Sequence, residues 1–457
     1  MKFSNDSTDS LHLHDFFTLL RFPSISTDPQ HKESVRQCAA WLANYFAAMD
    51  LHAQLHPTSG HPVVLARTER DPAKKTVLIY GHYDVQPVDP VHLWNSPPFE
   101  PRVQDGIVTA RGATDNKGQF FSHIIGVRSM LEEKGSLPVN VIFLIEGEEE
   151  IGSPNLAPFL ENHRDELACD VVLISDTGMI APETPTLTYG LRGVTCIELT
   201  VTGPDKDLHS GIFGGAVANP LTEMARLIAT LHDADGRIAV PGFYDDVQDP
   251  APWERECWSR LPVEDTEFLV LTGAPALHGE KGFSAFERTW ARPTAELNGM
   301  WGGYQGEGSK TVIPSTAHAK ISFRLVPHQN AERILDAVEE HLHAQVSPAV
   351  RLTVERGHTG EPYFVDPRSG YGGAARRALE RVLPGAEPAV IREGGSIPIV
   401  SDFKRILGVD SLLLGLALPD CRIHSPNENF PLRNLELGRL INQAVLEAVA
   451  AESSCER

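Results

Sequence analysis

A chain of 457 residues is longer than one hydrophobic core usually supports, so two or three domains are expected. Its 41% hydrophobic and 22% charged residues are typical of a globular protein, and no apolar run approaches the roughly twenty residues of a membrane helix. The formal net charge of −21 argues against nucleic acid and anionic membranes as partners, because both are bound chiefly through excess Lys and Arg.

The N-terminal segment lacks the basic start and apolar stretch of a secretory signal, and the cysteines are scattered without a C-x-x-C pair. We therefore predict a cytoplasmic protein with reduced thiols. The cysteines are Cys38, Cys169, Cys196, Cys257, Cys421 and Cys455.

Helical and strand-like segments alternate over residues 1–190. SVRQCAAWLANYFAAMD has the apolar spacing of a helix, KTVLIY is a short buried strand, and FSHIIGVRSMLEEKG is a helix that ends at a glycine. VNVIFLI and DVVLIS are further buried strands. This alternation predicts an α/β domain with a mostly parallel sheet and helices on both faces.

The pattern changes near residue 191. VTCIELTVTG, HAKISFRLV and VRLTVERG alternate apolar and polar residues, as half-exposed antiparallel strands do, and two helical segments interrupt them. We predict an inserted α+β domain over residues 191–361, in which residues 236–309 form an irregular, lid-like segment. The α/β pattern returns over residues 362–457, which complete the first domain.

Acidic and histidine side chains follow several predicted strands. His82 and Asp84 end VLIYGHYD, Asp176 ends VVLISD, and the run EGEEE follows VNVIFLI. Ligands of open α/β sheets bind outside the carboxyl ends of the strands, so these side chains are candidates for one site. The ordinary alternatives are a hydrogen-bonded turn for G-H-x-D and a solvated loop for the glutamates.

Two further candidates lie in loops. Asp115 belongs to the Gly-rich loop ARGATDNKGQ just before a helix, where an aspartate is most often an N-cap. His424 follows the strand SLLLGLAL, and the alternative for it is a structural histidine. The joint occurrence of all these signals within one α/β pattern is hard to explain by ordinary structural roles.

Five N/O ligands without a thiolate are available if one glutamate of the run joins His82, Asp115, Asp176 and His424. Two metal ions that share one carboxylate would use such a set, and the pair could hold a hydroxide and polarise a carbonyl. Asp84 lies two residues from His82 and would orient its ring. A glutamate beside the ligand would be free to act as general base.

Seven motifs resemble the co-catalytic metallopeptidases of family M20, which include cytosolic non-specific dipeptidase and carnosinase. They are, in order, GHYDVQP, RGATDNKG, EGEEEIGS, SDTG, DLHSGIFGG, EGGSIPIV and HSPNE. The resemblance spans nearly the whole chain, and DLHSGIFGG with KTVIPS and FRLVPHQ favours the dipeptidase branch. It implies hydrolysis of the peptide bond of dipeptides through a hydroxide that bridges two metal ions. We expect zinc, with manganese and cobalt as alternatives that these ligands also accept.

Matched motif by motif, the resemblance implies a ligand set for each metal ion. His82 and Asp176 would bind one ion, Glu150 and His424 the other, and Asp115 would bridge both. The family also has a cis peptide bond after its bridging aspartate, which predicts one after Asp115.

The resemblance also implies roles around the metals. Glu149 would be the general base, Asp84 would support His82, and Glu146 and Glu148 would be supporting or solvated.

Substrate-binding residues are implied in the inserted domain and near residue 396. His209 would reach the active site of the other subunit in a homodimer and stabilise the oxyanion. Arg324 would bind the substrate's terminal carboxylate, with Thr311 and Ser396 at other substrate positions. The alternatives are an ordinary loop histidine for His209 and a salt bridge on a strand face for Arg324.

Two other functions stay open at this point. The nearest is an N-acyl amino acid deacylase or a carboxypeptidase on the same scaffold. The other, from a different class, is an inactive binding module that kept the fold, against which the intact Glu149 and His209 argue.

Overall fold

The computed structural model describes residues 7–368 and 370–452. The chain divides into two compact units. The first comprises the chain up to Tyr189, Val365–Ile391 and the chain from Asp402 onward. The second comprises Gly190–Phe364 and Arg392–Ser401. The short segment Arg392–Ser401, which the sequence pattern assigns to the first domain, thus groups with the second unit.

The helices, in chain order, are α1 (Ser7–Leu20), α2 (Lys32–Ala48), α3 (Lys117–Lys134), α4 (Leu156–Asn162), α5 (Ser210–Phe213), α6 (Pro220–Ala229), α7 (Pro252–Trp258), α8 (Asp265–Thr272), α9 (Ala285–Ala291), α10 (Ala331–Gln345), α11 (Gly370–Val382), α12 (Pro398–Asp402) and α13 (Leu432–Ala451). The strands are β1 (His52–His56), β2 (Val63–Arg67), β3 (Thr76–His82), β4 (Arg102–Gln104), β5 (Ile107–Thr109), β6 (Asn140–Glu146), β7 (Val171–Ile174), β8 (Thr186–Leu191), β9 (Gly193–Thr202), β10 (Leu208–His209), β11 (Thr294–Gly302), β12 (Val312–Ile313), β13 (Thr316–Leu325), β14 (Arg351–Gly360), β15 (Tyr363–Phe364), β16 (Ala389–Glu393), β17 (Asp410–Gly415) and β18 (Asn429–Pro431).

One mixed sheet forms the centre of the first unit, with strands in the order β1-β2-β6-β3-β7-β17-β8. The central strands β6, β3, β7 and β17 are parallel to one another. The flanking pairs β1/β2, β2/β6 and β8/β17 are antiparallel. The predicted α/β fold is confirmed, with its parallel strands at the centre of the sheet. Every residue of β3 and β6 is buried, as expected for strands covered on both faces.

Helices α2, α3 and α13 share one hydrophobic core with this sheet. Helix α2 buries Val35, Cys38, Leu42 and Phe46, which recur at helical spacing. Helix α3 is buried along most of its length and is followed by Gly135, whose φ of 69° is a left-handed conformation that suits glycine. The deeply buried strands and α3 therefore give the carboxyl edge of the sheet a rigid base.

An antiparallel sheet in the order β11-β13-β9-β14 forms the centre of the second unit. Strands β9 and β13 alternate buried and partly exposed residues, as predicted, and α6 and α10 belong to the core on one face. Asn219 caps α6 by accepting a hydrogen bond from the Leu221 backbone N–H at 3.0 Å. The second unit is thus an α+β structure.

The predicted irregular segment over residues 236–309 is more ordered than its sequence indicates. It contains α7, α8, α9 and the edge strand β11. The prediction missed β11 because a register shift between Leu297 and Gly299 and its exposed position at the sheet edge break the apolar alternation. Arg292 forms a buried bidentate pair with Glu280, at 2.7 and 2.8 Å, which ties the segment together.

Among residues 7–368 and 370–452, no helix has the length and apolar character needed to cross a bilayer. The free cysteines are Cys38, Cys169, Cys196, Cys257 and Cys421. Cys455 lies outside the described residues.

Candidate metal centre

The carboxyl ends of the central parallel strands place the candidate residues at one edge of the sheet. Strand β3 ends at His82, which is in register with Glu146 at the end of β6. Strand β7 lies on the other side of β3. It ends at Ile174 and is followed by Ser175 and then by Asp176. The edge therefore collects side chains from segments that are far apart in the sequence, as the sheet topology requires.

A first group of possible metal ligands contains His82, Asp115 and Asp176. His82 Nε2 lies 3.1 Å from Asp115 Oδ1 and 3.8 Å from Asp176 Oδ2. Asn116 holds this group in place, because its side-chain amide donates to Asp176 Oδ1 and to the Ser175 carbonyl, both at 2.7 Å. The peptide bond between Asp115 and Asn116 is cis, which confirms that prediction.

A second group contains Asp115, Glu150 and His424. His424 Nε2 lies 2.9 Å from Asp115 Oδ2 and 3.3 Å from Glu150 Oε2. Gln86 Nε2 donates to Glu150 Oε2 at 2.7 Å. Asp115 thus belongs to both groups, one carboxylate oxygen facing each histidine, and this is the grouping that the family resemblance implies. The ligand roles themselves stay a prediction.

These residues fit a pair of divalent cations. His82 Nε2 and Glu150 Oε1 are buried and have no hydrogen-bond partner among the described residues. Unpaired buried polar atoms are costly, so both atoms point to a missing partner. A set of imidazole and carboxylate groups without a thiolate suits zinc, manganese and cobalt alike.

The titration behaviour of the group leads to the same conclusion. Burial raises the pKa of Glu149 well above its usual value, and the charges of Asp176 and Asp115 add to the rise. Burial also raises the pKa values of Glu150 and Asp176. Hydrogen bonds to Asp115 and Glu150 raise the pKa of His424 to about 10. The ionised carboxylates are therefore unfavourable at this site without a positive charge nearby, which bound divalent cations would supply.

The carboxylate of Asp84 contacts the turn that follows β6 more closely than it contacts the ring of His82. Its carboxylate accepts hydrogen bonds from the backbone N–H groups of Glu149 at 3.2 Å and Glu150 at 3.1 Å. His82 Nδ1 instead lies 3.2 Å from the Asp84 backbone oxygen and 3.4 Å from Oδ1. Asp84 thus orients both neighbours of the site, the ring and the glutamate turn.

The remaining glutamates of the run have structural partners. Glu146 accepts hydrogen bonds from the Tyr80 hydroxyl at 2.6 Å and the Ser153 hydroxyl at 2.8 Å. Glu148 accepts from the His61 backbone N–H at 3.1 Å and from Asn155 Nδ2 at 2.7 Å. Both are buried, so the run is not a solvated loop.

His209 and Thr311 lie side by side in the second unit. His209 in β10 is in register with Val312 in β12, and the Ser210 backbone N–H donates to the Thr311 carbonyl at 3.1 Å. His209 Nδ1 accepts from the Gly211 backbone N–H at 3.0 Å. This bond leaves Nε2 of the exposed ring as the nitrogen that can face a ligand.

Arg324 and Ser396 also lie together in the second unit. Arg324 Nη1 donates to Ser396 Oγ at 2.9 Å, and Ser396 Oγ donates to the Arg192 carbonyl. Burial and the charge of Arg324 lower the pKa of Arg192 to about 10, and the buried Nη1 of Arg192 has no hydrogen-bond partner among the described residues. Two guanidinium groups therefore lie near each other, and this arrangement favours an anionic ligand.

Sequence reasoning missed Asn116, Gln86 and Arg192. Asn116 and Gln86 lie inside the quoted motifs RGATDNKG and GHYDVQP, but amides carry no metal-ligand signal of their own. Arg192 lies at a domain boundary, where a single basic residue is most often solvated.

Known proteins resemble the chain over most of its length. The family model described as Peptidase family M20/M25/M40 matches residues 78–448. The Cys-Gly metallodipeptidase of Schizosaccharomyces pombe is 33% identical over 432 residues, which are 91% of this chain and 90% of that relative. Human Beta-Ala-His dipeptidase is 34% identical over 372 residues, 80% of this chain and 73% of that relative.

A solved structure agrees with these relatives. An M20 family metallo-carboxypeptidase of Sulfolobus solfataricus is 32% identical and matches with a TM-score of 0.84, covering 96% of this chain and 99% of that one. Because the family model covers most of the chain and the relatives exceed 30% identity over most of their length, the chain belongs to peptidase family M20/M25/M40.

Proposed function

We propose that the chain is a dipeptidase that works with two divalent metal ions. The observation that carries the proposal is the shared carboxylate of Asp115, which faces His82 with one oxygen and His424 with the other. The dipeptidases among its relatives support the substrate class. The metal identity stays a prediction, with zinc first and manganese and cobalt as alternatives.

Five residues would hold the metal ions: His82, Asp176, Glu150, His424 and the bridging Asp115. When bound, the ions would polarise the scissile carbonyl and lower the pKa of water at the site.

Glu149 would take the proton from the attacking water and pass it to the leaving amine. Its backbone N–H is fixed by Asp84, and its Oε2 lies 4.0 Å from His82 Nε2, so the carboxyl group lies beside the proposed ligands. The charge of the bound cations would oppose the rise in the pKa of Glu149 that burial produces, which returns the group to the range of a general base.

The second unit would supply the groups that recognise the substrate. Arg324, whose Nη1 donates to Ser396 Oγ, would bind the terminal carboxylate through its guanidinium fork. His209 would donate from Nε2 to the developing oxyanion, with Thr311 beside it. We propose that the chain forms a homodimer in which His209 acts on the partner's site. The free cysteines support a cytoplasmic location.

A carboxypeptidase or N-acyl amino acid deacylase is the second candidate, because the solved Sulfolobus relative is a metallo-carboxypeptidase. The test is hydrolysis of an unblocked dipeptide, its N-acetylated form and the matching tripeptide by the metal-reconstituted protein, with Glu149→Gln as control. A dipeptidase cleaves the unblocked dipeptide alone, and the variant does not. Cleavage of the acetylated compound would assign the second candidate, and no cleavage with zinc, manganese or cobalt would contradict both.

A further inference from the structure

Glu428 is a fully buried carboxylate four residues after His424 in the sequence. Its Oε1 accepts hydrogen bonds from the backbone N–H groups of Thr114 and Asp115, both at 2.9 Å. Its Oε2 accepts from the Gly112 backbone N–H at 2.9 Å and from Arg111 Nη1 at 2.7 Å. One side chain therefore binds the loop that carries Asp115 at four points.

Glu428 and Arg111 form a buried ion pair, so their opposite charges compensate each other. Arg111 is 1% exposed, and its Nη2 donates to the Pro87 carbonyl at 3.0 Å. Thr114 Oγ1 donates to the Asn429 carbonyl at 2.7 Å, so the two loops are also joined beside the carboxylate. Each carboxylate oxygen of Glu428 thus accepts two hydrogen bonds from this loop. Glu428 is therefore a structural acceptor and not a metal ligand.

The His424 loop depends on such an anchor. The side chain of His424 is 53% exposed, so few neighbours hold it by packing. Arg422, His424 and Asn427 have φ values of 56°, 60° and 65°, a left-handed conformation that residues other than glycine adopt at a cost. The surroundings must therefore hold this loop in its observed conformation.

We propose that Glu428 is a positioning residue that fixes Asp115 and His424 relative to each other and so sets the affinity of the second metal site. The inference rests on the proposed function, since it takes Asp115 and His424 as ligands. Its chemical basis is the carboxylate itself, because only a group with acceptors on both sides can meet two pairs of N–H donors.

Glu428→Gln tests this, because the amide replaces one acceptor oxygen by an NH₂ group that must face N–H donors. We expect the affinity for the second equivalent of Zn²⁺ to fall about 10- to 100-fold, the usual effect of removing an outer partner of a metal ligand. The readout is competition with a chromophoric zinc chelator, which needs no substrate. The matched control is Glu254→Gln, a 2% exposed glutamate of the second unit that also pairs with an arginine, Arg392, and accepts a backbone N–H from Ala251.

Circular dichroism and the melting temperature of the metal-free proteins establish that the variants are folded. Should Glu428→Gln fail to fold, Glu428→Asp keeps the charge beside Arg111 but is too short to reach both donor pairs, and about a tenfold loss of zinc affinity is expected. A folded Glu428 variant that binds two equivalents as tightly as wild type and Glu254→Gln overturns the inference while leaving the dipeptidase proposal intact. Loss of the second equivalent supports the inference even if no dipeptide is cleaved.

Discussion

His123 Nε2 in α3 lies 2.8 Å from Oγ of Ser175, the residue directly before Asp176 in the sequence. Ser175 Oγ donates to the Leu414 carbonyl at 2.7 Å and therefore accepts from the His123 ring. Asn442 Nδ2 in α13 lies 3.1 Å from the other ring nitrogen, Nδ1, and donates to it. Both nitrogens are thus satisfied in a neutral imidazole, and burial lowers the pKa of His123 to about 3.

This relationship predicts acid sensitivity of the first unit. Because the folded pKa lies below the unfolded value of about 6.5, the unfolded chain binds the proton first as the pH falls. The stabilisation is complete above about pH 6.5 and is lost progressively towards pH 3, at about 1.4 kcal/mol per pH unit.

A glutamine substitution can separate this effect from general acid denaturation. Replacing His123→Gln should reduce the loss of unfolding free energy between pH 7 and pH 5 by about 2 kcal/mol relative to wild type. Urea unfolding at both pH values in the presence of a chelator measures the unfolding free energy. The control is His343→Gln, which replaces an exposed histidine in α10. Equal losses in all three proteins would rule out His123 as the source.

Glu149 and Glu150 are adjacent and should respond differently to the same substitution. Glu149→Gln removes the proposed proton acceptor, so we expect kcat to fall about 10²- to 10⁴-fold with both metal equivalents retained. Glu150→Gln replaces a proposed ligand and should lose a metal equivalent. Metal content after dialysis, measured beside kcat, distinguishes the two. Loss of metal from Glu149→Gln would instead indicate that Glu149 is the ligand and Glu150 the proton acceptor.

The homodimer proposal predicts complementation between two inactive variants. If His209 acts on the partner subunit's site, a dimer of one Glu149→Gln chain and one His209→Ala chain contains one intact site. Random mixing of equal amounts should then recover about a quarter of wild-type activity. Activity of mixtures that were unfolded and refolded together measures this. If His209 serves its own chain, the mixture stays inactive.

Arg324 should affect recognition of the substrate carboxylate. We expect Arg324→Met to raise KM for a free dipeptide about 10- to 100-fold, because a charge-assisted bidentate pair is lost. The same substitution should leave the KM of the corresponding dipeptide amide nearly unchanged. Steady-state kinetics on the dipeptide and on its amide measure the change in KM for each substrate. An equal rise in KM for the two substrates would show that Arg324 supports the local fold and does not bind the carboxylate.

Helices α3 and α13 approach each other through glycines. A Cβ on Gly438 would lie 2.3 Å from Ser122 Oγ and 2.6 Å from Leu416 Cδ1, both in the core. Gly438→Ala should therefore lower the unfolding free energy by about 1–3 kcal/mol. Thermal melting compares it with Gly299→Ala, where no atom lies within 4 Å of the added Cβ. A Gly438→Ala protein as stable as the control would mean that the helices move apart at no cost.

Sequence patterns predicted the parts of the molecule where one physical signal dominates. Strands β3, β6 and β7 are short apolar runs because both faces are covered, and polar residues at their ends stand out clearly. Strand β11 was missed because its edge position, exposed side chains and bulge remove the alternation that marks a strand.

The supporting residues of the site were missed for a different reason. Glu428 follows a polar loop and looks solvated, since its partners Gly112 and Thr114 offer only backbone N–H groups, which carry no sequence signal. Asn116 and Arg192 likewise act through contacts that only the folded chain brings together.

Asp115 and His424 are separated by 309 positions in the chain. A ribosome adds roughly 5–20 residues per second, so tens of seconds pass between the synthesis of one residue and that of the other. His82, Asp115 and Asp176 emerge first, whereas the second ligand group cannot assemble until His424 has left the exit tunnel. In the proposed metal centre the second ion could therefore be bound only after His424 has been synthesised, and a chain truncated before His424 would retain at most the first group.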